Sequence, residues 1–151
     1  MNSGPILQLG STGPDVKRLQ RIFVVQKTLD YTGLDGNFGP ITKGAVEQFQ
    51  SGAGLTVDGI VGPQTWAALP ADVDAPELAE GANGAAVSRL QHGLTVVGTY
   101  AAAIDGIFGP QTDAAVRAYQ TQRGATIDGV VGDETWFIPA GAAGATLYSL
   151  S

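Results

Sequence analysis

Cysteine is absent from this chain, and histidine and methionine occur once each. The absence of cysteine excludes a disulfide framework, a thiolate metal site and a cysteine nucleophile. A single histidine excludes a zinc site built from several histidines and gives little support to a Ser-His-Asp mechanism. We therefore expect no metal, no cofactor and no catalytic residue, and we predict that the chain is not an enzyme.

Positive charge and long apolar runs are also scarce. The chain has 8 basic and 14 acidic side chains and a pI near 4.4, which argues against a nucleic-acid partner. No apolar run approaches the roughly 20 residues that span a bilayer, so we expect no membrane partner. The N-terminus shows no basic segment followed by an apolar stretch, so we expect no secretory signal.

Glycine and proline, by contrast, are abundant. The 22 glycines and 8 prolines make up about a fifth of the chain, where about 12% is usual. A low-complexity sequence would produce such a share, and so would glycines and prolines placed at fixed positions in repeated turns and helix starts. The stretch 34–42 returns at 104–112 and the stretch 55–62 returns at 125–132, both shifted by 70 residues. Repetition therefore explains most of the glycine and proline.

The two copies differ in length by one residue, and each has an internal repeat. The segment 16–20 returns at 87–91 with a shift of 71 residues rather than 70. One residue is therefore missing from the second copy after its first helix, where we expect a surface loop. Within each copy two Asp-Gly pairs lie 23 residues apart, at Asp35, Asp58, Asp105 and Asp128.

Apolar residues at helical spacing predict three helices in the first copy. Proline suits the first position of a helix, so we place the helix starts at Pro14, Pro40 and Pro63. The first two helices are expected to end near Lys27 and Ser51, the second because glycines follow it.

The second copy follows the same plan. Asn83 is predicted to cap its first helix, and Gly93 inside that helix should weaken it by about 1 kcal/mol relative to alanine. The second helix is expected from Pro110 to about Arg123. Asp133 begins the last helix, where negative charge is favourable.

These elements predict an all-α fold of two tandem small three-helix bundles. We assign residues 1–69 to the first domain, 70–77 to a Pro/Asp linker and 78–139 to the second domain. Residues 140–151 are expected to form a flexible Ala/Gly tail.

One ordered motif occurs twice and identifies a family. It reads Val-x-x-Leu-Gln, then Leu-Asp-Gly-x-Phe-Gly-Pro-x-Thr, then Val-Asp-Gly-x-Val-Gly-Pro-x-Thr-Trp. This pattern resembles the peptidoglycan-binding domain found on many bacterial cell-wall hydrolases. The resemblance covers Leu9–Leu69 and Leu78–Trp136, with Tyr119 in place of Phe and Asp133 in place of Pro. It implies a three-helix fold and non-catalytic binding of peptidoglycan through either its glycan or its stem peptide.

The candidate ligand-binding residues are the polar and aromatic positions of this motif: Gln20, Asp35, Asn37, Phe38, Thr42, Gln91, Asp105, Phe108 and Thr112. Each type of side chain also has a structural interpretation. The aspartates either close turns onto nearby amides or meet the amines and amides of a stem peptide. The aromatic rings either belong to the core or stack on a sugar. The glutamines either bind an amide-rich ligand or form buried hydrogen bonds to the loops.

Asn37 is the best candidate for ligand contact, because nothing in the fold requires it. Its counterpart in the second copy is Ile107, so the two copies need not bind equally. The first copy is also electrically neutral, since the excess acidic residues lie in the linker and the second copy. We therefore favour the first copy as the binding half.

The predicted function is bivalent binding of peptidoglycan that anchors or targets an associated protein or machine to the wall. Linking two weak sites raises avidity by roughly 10²–10⁴ when both engage one polymer. The protein would then lie in the cell wall or outside the cell, having left by lysis or through a phage or injection machine; otherwise it would be cytoplasmic. The alternative is a structural adaptor of a phage or contractile-injection assembly. Its tail could bind a protein partner through Leu147, Tyr148 and Leu150, or simply fray.

Overall fold

The computed structural model describes residues 2–141 and 145–151. This part of the chain contains helices and isolated β-bridges but no strand, so the prediction of an all-α fold is confirmed. None of the described helices is long and apolar enough to cross a bilayer. The helices are α1 (Pro14–Val25), α2 (Pro40–Gly52), α3 (Pro63–Ala68), α4 (Ala85–Val96), α5 (Pro110–Arg123), α6 (Asp133–Phe137) and α7 (Leu147–Leu150).

The chain divides into two compact units, one that ends at Asp74 and one that begins at Ala75. The first unit contains α1 to α3, with a 3-10 turn at Tyr31–Gly33 between α1 and α2. The second unit repeats this plan with α4 to α6 and adds α7. The two predicted three-helix bundles are therefore present.

Proline begins four of the helices, as the sequence predicts. In α1, α2, α3 and α5 it follows a glycine at the N-cap position. The predicted ends are correct to within two residues. The helix α1 stops at Val25 because Lys27 adopts a left-handed φ of 63°, whereas α2 continues one residue beyond Ser51 to Gly52.

Asn83 does not cap α4, contrary to the prediction. The N-cap is Gly84, which has a φ of 120° and no side-chain hydrogen bond. Asn83 lies one residue earlier and forms a backbone bridge with Ile107. The Gly84 amide donates to the Gly106 carbonyl at 2.9 Å. Backbone pairing with the turn before α5 therefore occupies the position where the side-chain cap was expected.

The core of each unit is closed by a buried tryptophan. The Trp66 Nε1 donates to the Pro5 carbonyl at 2.8 Å, and the Trp136 Nε1 donates to the Pro76 carbonyl at 2.8 Å. In each unit the third helix is thereby tied to the segment that precedes the first. Large apolar side chains from all three helices form the core of the first unit, including Leu19, Phe23, Val46 and Trp66.

Most of the predicted linker at 70–77 is built into the two units. Val73 packs against the core of the first unit, and the Arg18 Nε donates to Asp72 Oδ1 at 2.8 Å. Pro76 accepts the hydrogen bond from Trp136 and so belongs to the second unit. An extended spacer of eight residues is therefore not what the structure contains.

The end of the chain folds onto the second unit, so the prediction of a flexible tail is wrong for residues 145–151. Leu147 is fully buried, and the Tyr148 ring packs edge-on against Trp136 with their centroids 6.3 Å apart. The Leu150 carbonyl lies 3.0 Å from His92 Nδ1. Residues 142–144 of the predicted tail lie outside the described residues. Because Leu147 is already buried, it is not available as an anchor for a protein partner.

The packing of α7 explains why residue 93 of α4 is a glycine. The matching residue of the first unit is Ile22, whose side chain is buried in the core. A Cβ at Gly93 would lie 2.9 Å from Leu147 Cδ1 and 3.2 Å from the Leu147 carbonyl oxygen. The glycine therefore makes room for α7, and Leu147 takes a place in the core that α4 leaves open.

Gly93→Ala is expected to destabilise the second unit by about 1–3 kcal/mol, because the added methyl group overpacks the contact with α7. Gly44→Ala is the matched control, since Gly44 lies inside α2 with nothing near its absent Cβ. This control should stabilise the first unit by about 0.5–1 kcal/mol. Native-state hydrogen exchange of the α4 and α2 amides measures the two effects separately. Equal stabilisation by both substitutions would contradict the proposed packing.

Candidate functional site

Four buried glutamines organise the loops of the molecule. Each lies in one of the helices α1, α2, α4 and α5 and inserts its carboxamide into an Asp-Gly turn further along the chain, beside a buried threonine. We call each such group a Gln–Asp-Gly–Thr cluster. The four clusters are Gln20–Asp35-Gly36–Thr42, Gln50–Asp58-Gly59–Thr65, Gln91–Asp105-Gly106–Thr112 and Gln120–Asp128-Gly129–Thr135.

The first cluster shows how the carboxamide is used. Gln20 Oε1 accepts from the amides of Asp35 at 3.2 Å and Gly36 at 2.9 Å. Its Nε2 lies 3.2 Å from Asp35 Oδ1, and 3.1 Å from both the Asn37 carbonyl and Thr42 Oγ1. Both ends of the amide are thus satisfied inside the protein. Of the two interpretations of the glutamines, the structure shows the buried hydrogen bonds to the loops.

The aspartate of each cluster closes the turn. Asp35 Oδ1 accepts from the Asn37 amide at 2.9 Å, and the same bond recurs at Asp58, Asp105 and Asp128. Gly36 has a φ of 78°, and the Lys17 side chain lies 3.3 Å from its absent Cβ. A larger residue would be strained there. These are the turns that the sequence predicts.

Hydrogen bonds to the turn aspartates favour their ionised form. The pKa of Asp105 is lowered by the Gln91 side chain and then by the Ile107 amide. The pKa of Asp58 is lowered by the Ile60 amide and then by the Gln50 side chain. In these two turns the hydrogen bonds that close the loop therefore also favour the charged carboxylate.

A groove of about 300 Å³ opens beside the first cluster. It lies between the loop after α1 and the start of α2. Its wall combines exposed polar side chains with exposed apolar ones, among them Asp30, Thr32, Asp35, Asn37, Pro40 and Ile41. The Ile41 side chain is 75% exposed and adds an apolar surface to the mouth of the groove.

The corresponding surface of the second unit has lost most of these polar groups. Leu29 and Tyr100 occupy the same position, since each amide bonds back to the carbonyl of the matching residue in the preceding helix. After this position Asp30 to Gly33 is replaced by only three alanines, Ala101 to Ala103, and Asn37 is replaced by Ile107. The missing residue therefore lies in this loop, as predicted. No charged side chain lines the depression found there.

A second groove of about 370 Å³ lies beside the Asp58 turn and is also lined by Gln64. In the second unit Glu134 stands in place of Gln64. Its carboxylate accepts from the Thr126 amide at 3.0 Å and so crosses the corresponding loop. The loop of the second unit that corresponds to the wall of this groove is therefore held by a carboxylate that the first unit lacks.

Comparison with known proteins identifies the family. The family model described as "Putative peptidoglycan binding domain" matches residues 12–69 and 83–137. These two segments coincide with the repeated clusters of the two units. The chain belongs to this peptidoglycan-binding domain family.

The relatives that share this domain include larger proteins. The N-acetylmuramoyl-L-alanine amidase CwlL of Bacillus licheniformis is 32% identical over 162 residues, covering 89% of this chain and 45% of the amidase. The zinc D-Ala-D-Ala carboxypeptidase of Streptomyces albus G is 48% identical over 61 residues, covering 40% of this chain and 24% of that protein. The chain thus spans less than half the length of either relative.

Among solved structures, a peptidoglycan-binding protein from Clostridioides difficile, in complex with glutamine hydroxamate, is similar to this chain. The two are 35% identical, and the match covers 41% of this chain and 39% of that one, with a TM-score of 0.39.

Five of the candidate ligand-binding residues of this domain cannot touch a ligand directly. Their side chains are at most 2% exposed, and the prediction of ligand contact is wrong for them: Gln20, Phe38, Gln91, Phe108 and Thr112. The glutamines and Thr112 are held in the clusters, and the phenylalanines belong to the cores. Thr42 reaches the floor of the groove, but its hydroxyl accepts from Gln20.

The remaining candidates are exposed, but only some of them lie at the groove. Asp35 and Asn37 line it, whereas Asp105 lies in the matching turn of the second unit. Sequence reasoning missed Asp30 and Thr32, which also line the groove. Their spacing was a usable signal, because an aspartate two residues before a threonine can cap a turn. Asp30 does accept from the Thr32 amide at 3.1 Å.

No group of three or more histidine, aspartate and glutamate side chains in the described parts of the chain is arranged to hold a metal ion.

Gln20→Leu is expected to destabilise the first unit by about 3 kcal/mol or more. The change leaves the buried amide of Gly36 and the Thr42 hydroxyl without their partner, at about 1–3 kcal/mol for each unsatisfied group. Gln48→Leu, on the exposed face of α2, is the control and should alter stability by less than about 0.5 kcal/mol. Urea unfolding followed by tryptophan fluorescence measures both. An unchanged unfolding midpoint for Gln20→Leu would contradict the role of the cluster.

Proposed function

We propose that this chain binds bacterial peptidoglycan without catalysing a reaction on it, and that it thereby holds an associated protein or machine at the cell wall. Membership of the peptidoglycan-binding domain family supports the choice of ligand. The relatives named above are wall hydrolases by their names. In such proteins a domain of this kind would concentrate a separate activity on its polymer.

The observation that carries the proposal is the groove of the first unit. The Asp30 carboxylate, the Thr32 hydroxyl and the Asn37 carboxamide are not needed to hold the fold, because the second unit folds in the same way with alanines and an isoleucine at the matching positions. Polar side chains that are gathered around a concave surface without a structural need indicate a binding site.

The proposal of a non-catalytic role is supported by the state of the carboxylates. Hydrolysis of a glycoside by carboxylates requires two of them facing each other across the substrate. The four turn aspartates instead each accept hydrogen bonds from the amide two residues on and from the glutamine of their own cluster. Their charge is used for structure rather than for acid or base chemistry.

The repeat predicts that both units bind the polymer, and we propose that they do so with unequal affinity. The first unit provides the principal site, and the second unit, which lacks the counterparts of Asp30, Thr32 and Asn37, adds less to the affinity. Loss of the first groove should therefore cost more binding than any change at the matching surface of the second unit.

Asn37→Ile tests the proposal, because it installs the residue that the second unit already tolerates in the same turn. Retention on purified sacculi, measured by co-sedimentation, is expected to fall about tenfold, as loss of one or two hydrogen bonds would produce. The unfolding midpoint should remain close to that of the unmodified chain.

Ile107→Asn is the matched control. It makes the reciprocal exchange in the second unit and should leave retention within about twofold, since the neighbouring loop still carries alanines. Equal loss from both variants, or failure of the unmodified chain to sediment with sacculi, would contradict the proposal. Clearing of a sacculus suspension by the purified chain would contradict the non-catalytic role.

A further inference from the structure

The groove of the first unit is lined by negative charge. The ionisable side chains that line it are the carboxylates of Asp30 and Asp35, and no lysine, arginine or histidine is among its lining residues. Lys17 passes close to Gly36 but does not line the groove. A negative wall of this kind disfavours the carboxylates of stem peptides and favours a positively charged group.

Both carboxylates are fixed in place and each keeps one oxygen for a ligand. Asp30 Oδ2 accepts from the amide and the hydroxyl of Thr32, and these bonds lower the pKa of Asp30. Asp35 Oδ1 accepts from the backbone amide of Asn37 and from the side-chain amide of Gln20. None of these four bonds uses Asp30 Oδ1 or Asp35 Oδ2, so each carboxylate has a second oxygen with which to accept a donor. The acceptors therefore need no rearrangement before a donor arrives.

The remaining polar atoms complete an acceptor-rich surface. The Asn37 side chain is exposed and lines the groove, and its carboxamide oxygen is a neutral acceptor. Exposed Ile41 and Pro40 provide an apolar wall for an alkyl chain or a sugar face. A primary ammonium group, with three donors on one atom, matches such a set of acceptors better than a hydroxyl or an amide does.

We infer that the first unit recognises a primary ammonium group of peptidoglycan in the groove between Asp30 and Asp35. The inference rests on the proposed function and specifies the chemistry of its ligand. The polymer offers this group from two sources. One is the side-chain amine of a stem-peptide diamino acid that is not cross-linked, and the other is an amino sugar that has lost its acetyl group.

The comparison between the units supports the same chemistry. In the second unit the loop that matches the one carrying Asp30 consists of alanines, Asn37 is replaced by Ile107, and only Asp35 has an acidic counterpart, Asp105. The second unit is therefore expected to make no distinction between amine-bearing and amine-blocked polymer.

The test is co-sedimentation of the full chain with sacculi whose amines are either free or acetylated with acetic anhydride. Acetylation removes the charge and is expected to lower retention at least about tenfold, the size of one charge-assisted hydrogen bond. Asp30→Asn should lower retention on untreated sacculi to a similar extent and have little effect on acetylated ones. Glu80→Gln, which removes the same charge from an exposed position outside the groove, should behave like the unmodified chain.

Peptide-free glycan strands, prepared with and without acetylation, distinguish the two sources. Amine-dependent retention on these strands would assign the amino sugar, and its loss would assign the stem peptide. Equal retention on untreated and acetylated sacculi would overturn the inference and leave the proposed function standing. Equal retention of Asp30→Asn and the unmodified chain on untreated sacculi would also overturn it. Failure of the unmodified chain to bind either preparation would remove the proposed function itself.

Discussion

The carboxamide of a buried glutamine is the contact on which the rest of each unit depends. In every cluster it joins one helix to the Asp-Gly turn and to the threonine in the first turn of the next helix. A loop without regular structure has backbone amides that must be paired when they are buried, and the glutamine pairs them. Each unit has about 70 residues and therefore little surface to bury. It is held by two such clusters and by one tryptophan that is hydrogen-bonded to the segment before its first helix.

Because the glutamine and the aspartate carry the turn, the neighbouring side chains are free to vary. Asn37 and Ile107 occupy the same turn position with the same backbone bridge to the preceding segment, yet one is polar and the other is aliphatic. The loop before the turn differs in the same way between the units. The repeated scaffold is thus separated from the surface that distinguishes one unit from the other, and the capacity to bind a ligand can change without cost to the fold.

Sequence reasoning predicted what is repeated and local. Prolines marked four helix starts, and the Asp-Gly pairs marked turns with the expected aspartate-to-amide bond. It failed where distant parts of the chain meet. Gly93 was predicted only to weaken its helix. Its packing partner, Leu147, lies far along the sequence, so the helix pattern alone did not indicate the contact. Asn83 was predicted to cap α4, but the backbone there pairs with the loop at Gly106 and Ile107 instead. The groove was found only in part, since Asp30 and Thr32 lie in the one loop where the repeat breaks.

Hydrogen exchange at the four turn glycines tests the central role of the glutamines most directly. The amides of Gly36, Gly59, Gly106 and Gly129 lie in loops but donate to a glutamine Oε1 at 2.9–3.1 Å. If the clusters hold the units together, these four amides exchange only when the whole unit unfolds, as slowly as the central amides of α2 and α5. Exchange at the rate of exposed loop amides, while the helices remain protected, would contradict this account.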